Sequence, residues 1–403
     1  MIEATKNWLQ NRYRNIIHSI AFFPVVIGFS FLLISIGLIS LDYSPFGKEL
    51  KSNYEFLIIK DAETARSILS AIAGGIISLT VFSFSMVMIV LNQAASNLSN
   101  RVLDNLIGNR QQQYILGTYI GTIVYAFFIL TAVRDVEASS NIPSISTYFG
   151  IFLTVFDIFL FIYFLHYITQ SVKFNVIISR IYQETKDSIL ENSAEDADQK
   201  KFKLPTPNYE ILAGDTGVFE GFRTSSIKAF CEKNEVKIEA LLMKGAFVLE
   251  GTPIVKISRQ LEDDSVKLLN NCIHLVTQES IEGNFTFGVR QLREIAVKAL
   301  SPGINDPGTA LEALKAIFQL FNLFLESKLN HTISNDSGEP IVGICPIEFD
   351  QLFNDNILTI WDYGKNDRSI SNQLNLLVNQ LNKKHPQGVF NQFIMKMKEG
   401  NCL

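Results

Sequence analysis

Four long stretches in the first 172 residues carry almost no charge, and they constrain the fold more than anything else in the chain. Ser19 to Leu41, Ser67 to Leu91 and Gln111 to Val133 hold no formal charge, and Ala138 to Val172 holds one, Asp157. About 20 apolar residues rising 1.5 Å each cross roughly 30 Å of hydrocarbon, so each run is long enough to span a bilayer. The runs predict four transmembrane helices at about residues 19–41, 67–91, 113–133 and 147–170. The first is too long for a signal-peptide core and has no convincing cleavage site, so it reads as a retained span after a short segment, residues 1–18.

Charge separates the chain into two parts. Residues 1–172 carry 10 Lys/Arg and 10 Asp/Glu, and residues 173–403 carry 25 and 30, so the net charge of −5 falls on the second part. An acidic soluble region argues against nucleic acid as a partner, because phosphate binding needs clustered positive charge. With the N-terminus inside, the inner flanks hold Lys6, Arg12, Arg14, Arg101, Arg110, Lys173, Arg180 and Lys186, and the outer flanks Lys48, Lys51, Lys60, Arg66 and Arg134. The positive-inside rule then favours both termini in the cytosol.

Two features inside the spans point beyond anchoring. In the second span Ser78, Ser85, Asn92 and Ser99 recur every seven residues, and Ala71, Gly74, Gly75 and Ser78 are small. Such a stripe suits close helix packing first, and the sharper reading is a pore-facing helix with Phe82, Phe84 or Met88 narrowing the path. The pattern continues past the membrane through Ala95, Leu98, Val102 and Leu106, which predicts an extension of the helix. In the fourth span Asp157 is costly in lipid, so it reads as an ion ligand, a relay or a pore charge, or as a group facing a hydroxyl such as Thr122 or Ser83. His166 lies nine residues on, about half a turn round the helix, and does not pair with it.

The second part reads as soluble α+β. A helical linker covers 173–205, with a polar, proline-bearing break at SAEDADQKKFKLPTP, followed by a small β-rich subdomain at 206–260 and a helical one at 261–403. MKGAFVLEGTPIVKI has the look of the hairpin edge of a biotinyl- or lipoyl-type barrel but lacks a lysine at a tight tip, so no prosthetic group is expected. Asp306 followed by Pro307 is a helix start, with Asp as N-cap and Pro at the first helical position. Arg290, Arg293, Asn305 and Asp306 together define a candidate site for a small anionic ligand at that helix end, against plain capping and surface ion pairs. Cys231, Cys272, Cys345 and Cys402 show no ligand spacing and read as free thiols. No cofactor, metal site or catalytic motif emerges, and the chain is not read as an enzyme.

Three segments, NQAASNLSNRVLDNLIGNRQQQYILGTYIGTIVY, GVFEGF with KGAFVLEGTPI, and above all FGVRQLREIAVKALSPGINDPGTA, resemble a bacterial family of predicted membrane proteins, domain of unknown function 2254. The resemblance covers nearly the whole chain and implies a four-span protein of the bacterial inner membrane with a cytosolic tail. This chain departs from the family's usual Ser-Pro-Arg-like element after the second span, where it has Ser99, Asn100 and Arg101.

The expectation is therefore an α-helical membrane domain of four transmembrane helices followed by a soluble α+β cytosolic domain. Two functions fit it. One is a homo-oligomeric ion channel or channel-like effector with the second span lining the pore, for which Ser78, Ser85, Asn92 and Asp157 are the polar candidates. The other is a membrane-tethered sensor or scaffold whose soluble part binds a small anionic ligand or a protein partner.

Overall fold

The computed structural model describes residues 22–54, 58–59, 61–97, 110–134, 142–171, 173–193, 202–277 and 279–400. The segment 1–18, the continuation of the second span through Leu98, Val102 and Leu106, the Ser99–Arg101 element, most of the polar linker and Cys402 lie outside the described residues. The chain forms two compact units that change over between Lys173 and Phe174.

The first unit is helical. Its long helices are α1 (Phe22–Tyr43), α3 (Ala62–Asn97), α4 (Arg110–Ala132) and α5 (Ser144–Ser171), and a short α2 (Pro45–Asn53) follows α1. The four long helices are apolar and long enough to cross a membrane, matching the four uncharged runs. Their outward surface carries large apolar side chains, among them Val25, Phe29, Phe152 and Phe159, all exposed. That surface suits lipid, because a helix already satisfies its own backbone groups.

Helices α1 and α4 make the closest pairing, and two glycines allow it. A methyl group at Gly117 would come within 2.7 Å of the Ile27 side chain and 3.1 Å of the Pro24 backbone, and one at Gly121 within 2.7 Å of the Phe31 ring. This is the small-residue packing that lets membrane helices approach closely. Ile72, Ala73 and Ile76 of α3 pack with Tyr119 and Ala126 of α4 and Phe164 and Ile168 of α5. A second cluster joins Ala65 and Leu69 of α3 to Tyr125, Ile129 and Leu153.

A buried polar junction ties α1, α2 and α5 together. Asp42 accepts the N–H groups of Ile145 (3.1 Å) and Ser146 (2.8 Å), so its carboxylate caps the N-terminus of α5. Lys51 lies 3.3 Å from the same carboxylate and donates to the carbonyls of Asp42 (3.0 Å) and Ile142 (3.2 Å). Tyr125 of α4 donates to the Ser146 carbonyl at 2.7 Å.

The second unit begins with α6 (Phe174–Glu191) and continues β1 (Tyr209–Leu212), β2 (Gly217–Phe222), α7 (Thr224–Asn234), β3 (Ile238–Ala240), β4 (Phe247–Val248), β5 (Pro253–Ile257), α8 (Asp263–Cys272) and β6 (Ile273–Val276). Then come α9 (Phe285–Ala299), α10 (Pro307–Glu326), β7 (Thr332–Ser334), β8 (Pro340–Gly343), α11 (Phe349–Gly364), α12 (Arg368–Lys384) and α13 (Gly388–Gly400). The strands form a five-stranded sheet in the order β1-β5-β3-β8-β7 and a three-stranded sheet in the order β4-β2-β6. All pairings are antiparallel except β3 with β8.

Two expectations need correction. MKGAFVLEGTPIVKI is not a hairpin edge: β4 pairs with β2 in one sheet and β5 with β1 and β3 in the other. The turn between them, with Gly251 at φ 80°, moves the chain across sheets instead of folding it back. Nor does the sheet respect the division at 260/261. Strand β8, a run of Pro340, Ile341, Val342 and Gly343, is inserted between β3 and β7, and Ile341 and Val342 bury into the sheet core. Its brevity hides it among helical patterns.

Helix α10 is a fifth helix apolar and long enough to cross a membrane, judged on length and composition alone. In the second unit it is a core helix. Phe318 and Phe321 pack edge-on against Phe353 and Phe349, and Phe353 in turn against Phe390 and Phe393. Cys231 and Cys272 are free and buried in the sheet core, where burial pushes the Cys231 thiol up to about 12, so it is inert at neutral pH.

Candidate functional site

Polar side chains that an apolar membrane unit does not need for folding fall in two places. On α3, Ser78 and Ser85 are exposed and donate to the carbonyls four residues back, Gly74 and Val81, each at 2.9 Å. Asn92 is exposed on the same helix, as are Gly74, Gly75, Phe82, Phe84 and Met88. Among the described residues, a methyl group added at Gly74 or Gly75 would meet nothing within 4 Å. The contrast with Gly117 and Gly121 is direct: α4 uses its glycines within the subunit, and α3 leaves its own open.

Asp157 is not on that face. It lies midway along α5 and is fully buried with Ser83 of α3 and Thr122 of α4, each at 0% exposure. Thr122 stands beside the Asp157 carboxyl, and Tyr119, one turn before Thr122, stands beside both Asp157 and Ser83. Among the described residues neither oxygen of Asp157 completes a hydrogen bond, nor do Ser83 Oγ, Tyr119 OH or Thr122 Oγ1. Helical geometry explains the separation: Ser78 and Ser85 lie on one side of α3 and Ser83 on the other. His166 is exposed, so it is turned away from Asp157.

In the second unit, Arg290 and Arg293 of α9 line a cleft of about 440 Å³ with Lys244 and Gly245 from the β3–β4 loop and Asp355 and Asn356 from α11. Arg290 is held by a two-pronged pair with Glu279, at 2.9 and 3.0 Å, and stacks 5.7 Å from the Phe287 ring centre. Arg293 donates to the Asp355 carbonyl at 3.3 Å. Burial lowers the affinity of the Lys244 amine for its proton, against the partial compensation of Glu220 nearby. Asn356 is 4% exposed; its amide donates to the Leu352 carbonyl at 2.7 Å, and its Oδ1 has no partner among the described residues.

Asn305 and Asp306 do not line this cleft. The Asp306 N–H bonds the Ala299 carbonyl at the far end of α9, so at 1.5 Å per residue the pair sits about 14 Å along the helix from Arg290. Asn305 takes a left-handed conformation, φ 48°, and Asp306 caps α10 through the Thr309 N–H at 3.1 Å. The helix end is therefore already occupied by a carboxylate of the chain itself, which disfavours an external anion there. Lys244, Glu279, Tyr119 and Asn356 were not singled out by the sequence, because they meet the other residues only through tertiary contacts. Among the described residues no group of three or more His, Cys, Asp or Glu side chains converges on one point.

Four long apolar helices with an apolar outer surface define a multi-pass membrane protein, joined here to a mixed α/β unit. The chain belongs to the family described as Predicted membrane protein (DUF2254), whose model matches residues 17–379. It is similar to Uncharacterized protein MT1328 of Mycobacterium tuberculosis, 23% identical over 289 residues, covering 68% of this chain and 55% of that protein. It is also similar to Uncharacterized protein Mb1321c of Mycobacterium bovis, 22% identical over the same shares. The chain thus spans about half the length of the curated relatives it matches. No solved structure matches it.

Proposed function

We propose that this multi-pass protein is a homo-oligomeric ion channel or channel-like effector, with α3 facing a shared axis and the second unit, in the cytosol of a bacterial cell, regulating it. The observation that carries the reading is the open face of α3. Gly74, Gly75, Ser78 and Ser85 are small or hydroxylated and exposed, and among the described residues a Cβ at either glycine would meet nothing within 4 Å. Small residues facing lipid gain nothing over Leu, whereas they let a neighbouring helix approach or leave room for water. Ser78 and Ser85 satisfy their own protons on the backbone and leave lone pairs outward. No catalytic role is assigned. The test is conductance of the purified full chain in planar bilayers under stretch, voltage, pH and ligand challenge, alongside its mass in lipid nanodiscs. An oligomer whose currents change with Ser78→Leu and Ser85→Leu supports the reading. A monomer that carries no current rules it out.

The cleft favours a second reading, in which the soluble unit senses a small polar anion. Lys244, Arg290 and Arg293 converge there with an amide oxygen of Asn356 that has no partner among the described residues. Thermal shift of the full chain with inorganic phosphate, nucleotides and dicarboxylates tests it, and a shift that persists in Arg293→Ala counts against this cleft.

A further inference from the structure

Hydroxyls inside a membrane helix normally donate to the carbonyl one turn back, since lipid offers no other acceptor. This chain follows the rule: Ser78, Thr80, Ser85, Thr118, Thr154 and Thr169 all bond the carbonyl four residues earlier, at 2.7 to 2.9 Å. Ser83 and Thr122 depart from it, and both are fully buried beside Tyr119 and Asp157. Three helices thus bring five oxygen atoms, two from a carboxyl, to one place midway along α4 and α5, and among the described residues none of the five has a hydrogen-bond partner at ordinary distance and angle.

We propose that Asp157, Thr122, Tyr119 and Ser83 form an intramembrane binding site for a monovalent cation of about sodium size. The donor set is all oxygen, which suits a hard cation. The charge also selects. One carboxylate and one monovalent ion sum to zero in a low-dielectric interior, whereas a divalent ion leaves a net positive charge whose burial is costly. Five oxygens from four side chains suit a small ion, because a larger one needs more donors. A proton on Asp157 would add one donor to the three hydroxyls of the group and engage one or two of its oxygens, whereas a cation engages all five at once. Intramembrane carboxylates of this kind are typical of ion sites. The proposal does not depend on the channel reading, since an ion bound inside one subunit stabilises that subunit whether or not current flows.

The experiment uses the full chain in detergent at constant ionic strength, with choline chloride replaced stepwise by sodium, lithium or potassium chloride. Thermal unfolding and equilibrium binding of radioactive sodium are read together. Sodium is expected to raise the Tm saturably, with one ion bound per chain and weaker binding of potassium. Thr122→Val keeps the shape and removes one oxygen, and it should weaken sodium binding about tenfold, as loss of one contact to a charged group does. Asp157→Asn should abolish binding. If Asp157→Asn does not fold, Thr122→Val and Ser83→Ala still decide. Sodium and choline giving the same Tm with no bound sodium would overturn the proposal, and so would a sodium response unchanged in Thr122→Val and Ser83→Ala.

Discussion

Lys51 reaches the Asp42 carboxylate at 3.3 Å with both side chains essentially fully buried, 2% and 0% exposed. The pair is held on all sides: Asp42 also caps α5, and Lys51 also bonds two carbonyls. Removing one partner strands the other charge away from water, which costs about 3–5 kcal/mol. Lys51→Met should therefore lower the unfolding temperature sharply, and Lys51→Met with Asp42→Asn should recover part of the loss. Equal destabilisation by the single and double variants, measured by thermal unfolding in detergent, would show that the pair is not acting as a pair.

The two glycine pairs predict opposite phenotypes. Gly121→Leu drives a side chain into the Phe31 ring and should destabilise the subunit by an overpacking cost of about 1–3 kcal/mol or more. A Cβ at Gly75 meets nothing within 4 Å among the described residues, so Gly75→Leu should leave the subunit's stability within about 0.5 kcal/mol. In lipid nanodiscs the same Gly75→Leu should shift the mass toward monomer. A Gly75→Leu subunit that unfolds as readily as Gly121→Leu would refute the assignment of the two faces.

Asp306 caps α10 through the N–H and hydroxyl of Thr309, and these bonds hold its carboxyl below the ordinary 3.8. A carboxyl depressed in the folded state stabilises fully above 3.8, and the contribution is lost as pH falls through the lower folded value. Asp306→Ala should cost about 1 kcal/mol at neutral pH, the usual size of a cap. The difference between the variant and the parent should shrink only below pH 3.8. A difference that stays constant down to acid unfolding would argue against the cap.

Arg290 is positioned by Glu279, so Glu279→Gln tests how the cleft is built. Loss of the carboxylate charge raises the net positive charge facing the cleft. Binding of inorganic phosphate, followed by calorimetry, should tighten in Glu279→Gln and weaken in Arg290→Ala. Phosphate binding that is indifferent to both substitutions would exclude the cleft as an anion site.

What the sequence showed and hid follows from the range of each interaction. The four spans were plain because insertion in lipid is decided by local composition, and the Asp306–Pro307 cap because capping involves neighbours three residues apart. The Gly117–Gly121 spacing was present but not singled out, and its meaning depends on Ile27 and Phe31, far away in the chain. The Asp42–Lys51 junction could not be read, because Asp42 meets Ile145 and Ser146 about a hundred residues on. For the anion site, nearness in sequence misled: Arg290 sits in the first half of α9, and Asp306 caps the next helix beside the last residue of α9.

The insertion of β8 between β3 and β7 also has a consequence during synthesis. Ile238 of β3 pairs with Val342 of β8, roughly 100 residues later. At roughly 5–20 residues per second, a ribosome needs about 5–20 s to deliver that partner. Until then the β3 edge of the nascent chain is an unpaired strand beside apolar residues, the kind of surface that recruits chaperones or joins another chain. The order of translation, and not the final stability, sets how long that edge stays open.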